Sequence, residues 1–352
     1  MSALSKEEKL KNYLNDLPDF VFRYISHYYD GDSVNTQIAY AIDLRIFFQF
    51  LMFSHRFSEV TALDGFTTDH LEQITLDDLL DYKSYLKEYT ITFTTDDGKI
   101  FTKKHTNSNF GINRKLSSLR GMFSYLYKSD RISHNITEKL DLTKLSQKIK
   151  KPLTSQETLR LLDVIFHGEN YFEGRAKTEY LNRKLRDIAV YICYLGTGIR
   201  VSELVNLDIC DLDFETSSFK VVRKGGDEDE IFMPPQVQDE IYAYLEERMK
   251  ISTDSPALFL SRTNERLSVA TVEHNLKTYC HAAGIYHKDK TRPHALRRTF
   301  ACTLLADGVD IKMVAELMGH KNIEVTHKFY ASHTAKARKE IMLQRTIPTE
   351  EE

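Results

Sequence analysis

Along the first third of the chain, apolar residues recur at helical spacing and are separated by polar, turn-forming segments. Ile38, Ile42, Phe47, Phe50 and Leu51 fall on one stripe of a helix that Ser33 or Asn35 can cap and that runs to about Phe53. Ahead of it, Leu14, Leu17, Phe20, Val21, Phe22 and Tyr24 mark further helix. After Thr75, the residues Leu76, Leu79, Leu80, Tyr82 and Leu86 mark another. The stretch TFTTDDGKIFTKKHTNS breaks the pattern, and Asp97-Gly98 between two β-prone runs predicts a hairpin excursion. Helical spacing resumes with Ile112, Leu116, Leu119, Phe123 and Leu126, which places Arg114, Lys115 and Arg120 on the polar side.

The pattern changes at LSQKIKKPLTSQE. Three lysines precede Pro152, and Thr154-Ser155-Gln156-Glu157 is a capping box that opens a new helix. The chain therefore divides into a helical domain over 1–145, a basic linker over 146–152 and a second domain over 153–352. In the second domain an apolar helix from Asp187 to Leu195 is closed by Gly196-Thr197-Gly198, and a short helix from Arg200 to Leu207 follows directly. Between Leu212 and Met233 the alternation is that of a small antiparallel sheet, with strands around RKGGDED. Later segments are helical, punctuated by Gly284, Pro293, Gly308 and Gly319. The expected fold class is mainly α: an all-α first domain, and a mostly α second domain with a small antiparallel β-sheet. The regular strand–helix alternation of a parallel α/β sheet is missing from the pattern.

Composition narrows the setting. A length of 352 residues exceeds one average domain, and 41% hydrophobic with 28% charged residues describes a globular protein. No run approaches the roughly 18 apolar residues of a membrane span. The N-terminus MSALSKEEKL has no apolar run behind its charges, so a cytoplasmic protein is expected. Cys193, Cys210, Cys280 and Cys302 are widely spaced and read as reduced thiols, which argues against a structural zinc site. The net charge of −3 conceals strong patterning: 27–98 carries 13 acidic against 4 basic residues, whereas 99–151 carries 13 basic against 3 acidic. With Asn113, Ser117 and Tyr125 interleaved, the basic segment reads as a surface that tracks phosphates. Lys103, Lys104, Arg114, Lys115 and Arg120 are its candidate contacts.

Three separated segments carry candidate chemistry. In GTGIRVSELVNL, Arg200 stands at the start of a helix, and Glu203, three residues on, shares its face and can orient the guanidinium. In RPHALRRTFACTLL, Leu296, Phe300, Ala301, Leu304 and Leu305 form the buried stripe, while His294 and Arg297 share a face away from it. In GHKNIEVTHKFYA, His320 sits in a turn and Asn322 caps a helix that presents Tyr330. Two arginines, two histidines and a tyrosine suit transesterification at a phosphodiester. Guanidiniums can clamp the non-bridging oxygens as charge builds, imidazoles can add donors, and a tyrosine hydroxyl can attack and remain covalently attached. Lys224, in the RKGG turn, fits as proton donor to the leaving 5′ oxygen. Such a reaction needs no cofactor, no ATP and no metal.

In these motifs the chain resembles the tyrosine recombinases, the family of phage-type integrases and Xer-type resolvases. Arg200-Val201-Ser202-Glu203-Leu204, Lys224, His294-Ala295-Leu296-Arg297, Met318-Gly319-His320 and Tyr330 match the family's motifs in the family's order. The resemblance extends over about 33–335. In the first domain it is carried by Asn35-Thr36, Tyr40, Asp43-Leu44, Phe48 and Leu51, and by Ile112-Asn113-Arg114 with Leu116, Leu119-Arg120, Phe123 and Leu126. Two features depart from the pattern: Arg298 stands where relatives usually have histidine, and Asp227-Glu228-Asp229-Glu230 makes the lysine turn acidic. The resemblance implies a core-DNA-binding first domain and a catalytic second domain. It implies a site-specific DNA recombinase that cleaves and rejoins strands through a 3′-phosphotyrosyl intermediate. Tyr330 is then the nucleophile, and Arg200, Arg297, His294 and His320 form the phosphate-binding and proton-transfer shell. The partner is double-stranded DNA with a short inverted-repeat site, and the assembly is a homotetramer on two sites. Within the family the chain is most like simple two-domain Xer-type proteins acting in chromosome dimer resolution. An integrase of a mobile element, a type IB topoisomerase and a catalytically silent DNA-binding protein are the alternatives.

Overall fold

The structure, a computed structural model, describes residues 5–28, 34–94, 100–145, 151–223 and 226–319. The chain divides into two compact units, Met1–Gln147 and Lys148–Glu352.

The first unit contains α1 (Lys6–Leu14), α2 (Asp19–Tyr28), α3 (Val34–Phe53), α4 (Thr68–Glu72), α5 (Leu76–Tyr85), β1 (Glu88–Thr94), β2 (Ile100–Thr106) and α6 (Asn109–Lys128). Thr75 caps α5 by accepting from the Asp78 N–H, and the Asp78 carboxylate returns a bond to the Thr75 N–H at 2.8 Å. The strands of the expected hairpin are present, with β1 and β2 antiparallel from Glu88↔Thr106 to Thr94↔Ile100, while Asp97-Gly98 lies outside the described residues. The core lies where α3 and α6 meet the neighbouring helices. Phe47, Phe48, Leu116 and Phe123 are buried there, and Phe47 meets Tyr82 edge-on with ring centroids 5.0 Å apart. Phe22 and Leu80, expected on buried stripes, are exposed.

The second unit contains α7 (Ser155–His167), α8 (Gly174–Leu181), α9 (Lys184–Thr197), α10 (Val201–Asn206), β3 (Leu212–Asp213), β4 (Ser218–Val222), β5 (Glu228–Phe232), α11 (Pro235–Arg248), α12 (Val269–Ala282), α13 (Pro293–Ala306) and α14 (Ile311–Leu317). α7 opens on the predicted capping box of Thr154 and Glu157, and Lys290 anchors the same carboxylate at 2.6 Å. α9 is the central helix, buried from Arg186 through Tyr194. Its one buried carboxylate, Asp187, is satisfied by Arg186, Asn275 and Tyr279 and ion-paired with Arg183. The three strands form one antiparallel sheet in the order β3-β4-β5. A smaller apolar cluster of Ala301, Cys302, Val314 and Met318 packs α13 against α14. The four cysteines are free; Cys193, Cys280 and Cys302 are buried and Cys210 is exposed. Among the described residues, no helix is long and apolar enough to cross a membrane.

Candidate active site

The site begins where α9 ends. Gly198 caps that helix in the left-handed region at φ 62°, and a Cβ there would stand 2.2 Å from the Phe300 ring. Glycine thus allows both the tight exit and the approach of α13. The exit places Arg200 at the N-cap of α10, and Glu203 one turn later turns back on it. The Glu203 carboxylate accepts from the Arg200 backbone N–H at 2.9 Å through Oε2 and from Arg200 Nη1 at 2.6 Å through Oε1.

A second cation completes this pairing. Arg223 follows β4, and its Nη1 donates to Glu203 Oε2 at 3.0 Å while its Nε donates to Asp229 at 2.8 Å. Glu203 and Arg223 side chains retain only 4% and 9% of their surface. Burial pushes the Glu203 carboxyl up, but the Arg200 bonds and the charges of Arg223 and Arg200 outweigh it and hold the group below its ordinary value.

Arg297 enters from α13. Its guanidinium donates through Nη1 to the Gly198 carbonyl and through Nη2 to the Met318 carbonyl. Arg200 Nη2 donates to the carbonyl of the next residue, Gly319, at 2.8 Å. The two arginines therefore converge on consecutive carbonyls at the end of α14, immediately before His320. Burial lowers the Arg297 pKa to about 10; the charges of Arg200 and Arg223 add to this, and Glu203 opposes it. The cluster is electropositive, desolvated and built to gain from an incoming anion. The Arg200 side chain keeps 29% of its surface and is within reach of one.

The structure thus brings together Arg200, Glu203 and Arg297. Arg297 is buried at 4% and does not lie on an open polar face as the helical spacing implied; it is the carbonyls of Gly198 and Met318 that satisfy it there. His294 is exposed in the first turn of the same helix. Lys224, His320 and Tyr330 lie outside the described residues. Arg223 was missed by the sequence reading, although a signal existed. Phe219 and Val221 face the core and Lys220 and Val222 face outward, so strand alternation makes 223 the next inward position.

The basic segment is placed differently from its sequence reading. Lys103 and Lys104 are exposed on β2, with Lys104 paired to Glu88 at 2.6 Å. Arg114 pairs with the buried Asp43, its Nη2 donating to Oδ1 at 2.7 Å and its Nη1 lying 2.6 Å from Oδ2, and keeps 44% of its side chain exposed. Lys115 is not on the polar face. It is buried at 7%, bonded to Asn107 at 3.3 Å and 3.9 Å from Asp43. Arg120 is half-buried and donates to the carbonyls of Thr137 and Leu140.

Residues 142–337 match the model of the phage integrase family. The chain belongs to this family. It is a tyrosine recombinase of the Xer type. The recombinase is 33% identical over 304 residues to tyrosine recombinase XerC of Caldanaerobacter subterraneus subsp. tengcongensis, covering 84% of this chain and 77% of that one. It is 28% identical over 348 residues to tyrosine recombinase XerS of Lactococcus lactis subsp. cremoris, covering 91% and 95%. Its fold is similar to that of the Tn1549 transposon integrase in complex with a circular intermediate DNA, with a TM-score of 0.65, 20% identity and coverage of 92% and 98%. It is also similar to the XerH site-specific recombinase bound to a palindromic difH substrate, with a TM-score of 0.62, 18% identity and coverage of 96% of each chain. At these identities the two structures speak to the fold alone.

Proposed function

We propose that the recombinase acts on short inverted-repeat sites in double-stranded DNA, exchanging strands through a 3′-phosphotyrosyl intermediate. Arg200 and Arg297 clamp the non-bridging oxygens, with Glu203 orienting Arg200. His294 and His320 complete the donor and proton-transfer shell, Tyr330 attacks phosphorus, and Lys224 protonates the leaving 5′ oxygen. The observation that carries this reading is the convergence of two arginines from distant helices on the carbonyls of Met318 and Gly319, directly ahead of the segment that holds His320 and Tyr330. The first unit is the core-DNA-binding domain and the second the catalytic domain, with 146–152 as linker. Strand exchange joins two sites with two protomers each, so the working assembly is a homotetramer. The XerC and XerS names of its relatives support an Xer-type role over integration of a mobile element, and the role we assign is chromosome dimer resolution in the cytoplasm.

Replacement of Tyr330 by Phe tests the chemistry, because it removes the hydroxyl and keeps the ring. DNA binding is expected to stay within about threefold of wild type, and no covalent adduct is expected on a nicked trapping substrate. A persistent adduct in that variant removes Tyr330 from its role. Cleavage by the wild type is expected to survive EDTA; loss on chelation with return on adding Mg²⁺ overturns the metal-free mechanism.

A further inference from the structure

We propose that Arg223 is a positioning residue of the recombinase: it fixes Arg200 from the hairpin side by bonding the carboxylate that Arg200 is bonded to and by packing against Gly319, whose carbonyl Arg200 meets. This rests on the reading of Arg200 as a phosphate clamp.

Arg200 has two partners besides the substrate, the Glu203 carboxylate and the Gly319 carbonyl. Arg223 bonds the first and packs against the residue that carries the second. Its Nη1 donates to Glu203 Oε2 at 3.0 Å, on the oxygen opposite the one that receives Arg200 Nη1. Its guanidinium also packs against residue 319, where a Cβ would stand 2.6 Å from Arg223 Cζ and 2.9 Å from Nε. Only glycine leaves room for that contact, and Gly319 holds a left-handed φ of 58°. Arg223 is itself immobilised. Its Nε donates to Asp229 at 2.8 Å, its backbone N–H donates to the Asp227 carbonyl at 2.7 Å, and its own carbonyl accepts from the Gly226 N–H at 3.0 Å. The acidic run after the turn thus has a definite use, since Asp229 supplies the second acceptor for the fork. A planar guanidinium serves two acceptors on different elements at once, which a lysine ammonium cannot reproduce in the same geometry.

The electrostatic consequence follows from the same contacts. A buried carboxylate beside Arg200 orients it and also subtracts from its charge. A second cation on Glu203 offsets that subtraction, so Arg200 and Arg297 keep a net positive field for the phosphate. Without Arg223, Glu203 is left facing Arg200 alone, and the clamp is weakened while its parts remain in place.

The test is a double-mutant cycle on the full chain, read by single-turnover cleavage of a nicked half-site substrate, by half-site affinity and by thermal unfolding. Arg223→Met is expected to slow cleavage by about tenfold or more, with affinity within about threefold of wild type. Glu203→Gln is expected to slow cleavage too, and the double variant to be no slower than the worse single one, because the uncompensated carboxylate is gone. A merely structural arginine does not produce that pattern: affinity and melting temperature then fall together with cleavage. Cleavage by a folded Arg223→Met within about threefold of wild type, or losses that multiply, overturns the proposal. Should Arg223→Met not fold, Arg223→Lys carries the same cycle with the same criteria. Arg200→Ala is measured alongside. If it cleaves normally, the clamp reading falls and Arg223 with it; if it is inactive while Arg223→Met is normal, only the role of Arg223 falls.

Discussion

Glu203 shows how far a single residue is committed by its surroundings. The sequence spacing alone predicts a carboxylate that orients Arg200, and the structure adds burial, a backbone N–H and a second guanidinium. A carboxyl held below its ordinary value of 4.5 is ionised in the folded state at pH values where the unfolded chain takes up a proton. Its contribution to stability is therefore fully present above that ordinary value and is lost as pH falls through the lowered folded one. Glu203→Gln is expected to lower the melting temperature at pH 7, with the gap from wild type narrowing progressively below pH 4.5. Melting curves from pH 7 down to acid check this. A gap of constant size across that range means that the charge of Glu203 does not matter to the fold.

At the scale of the element, α6 is the instructive case. Its helical period was read correctly, with Ile112, Leu116, Leu119, Phe123 and Leu126 buried. Its basic residues depart from a simple polar face, because periodicity reports which positions are apolar and not which cations a distant carboxylate will draw inward. Asp43, 71 positions before Arg114, arrives from α3 with its side chain fully buried. Burial pushes its carboxyl up against the pull of Arg114 and Lys115. These residues close the packing of α3 on α6. Arg114→Ala is expected to cost about 2 kcal/mol or more, since it leaves a buried carboxylate with one distant ammonium. Urea denaturation measures this. A cost of a few tenths of a kcal/mol, typical of an exposed ion pair, returns Arg114 to the solvated surface.

For the whole molecule, the charge asymmetry of the first unit bears on how DNA is held. With Lys115 inside and Arg120 tied to two carbonyls, the exposed lysines of β2 are the phosphate contacts we propose for this unit. Neutralising Lys103 and Lys104 together is expected to flatten the salt dependence of DNA binding by up to about 2 log units per log of salt. The Lys115→Met change is expected to leave the slope unchanged. Binding titrations across salt concentrations decide between them, and a slope that responds to Lys115 and not to the β2 lysines reverses the assignment. Local pattern sufficed for the helices, the paired strands β1 and β2, the small sheet and the capping box at Thr154. It also ordered Arg200, Glu203, His294 and Arg297 into one family pattern. These are written in periods of 2 and 3.6 and in caps a few residues long, where cause and consequence lie within one turn or one strand. The sharing of Glu203 by Arg223 and Arg200, the burial of Arg297 between Gly198 and Met318, and the interior place of Lys115 could be seen only in the folded chain. Each of these depends on a partner from another element, and a low-dielectric interior assigns charges to partners by proximity in space, which local spacing does not encode.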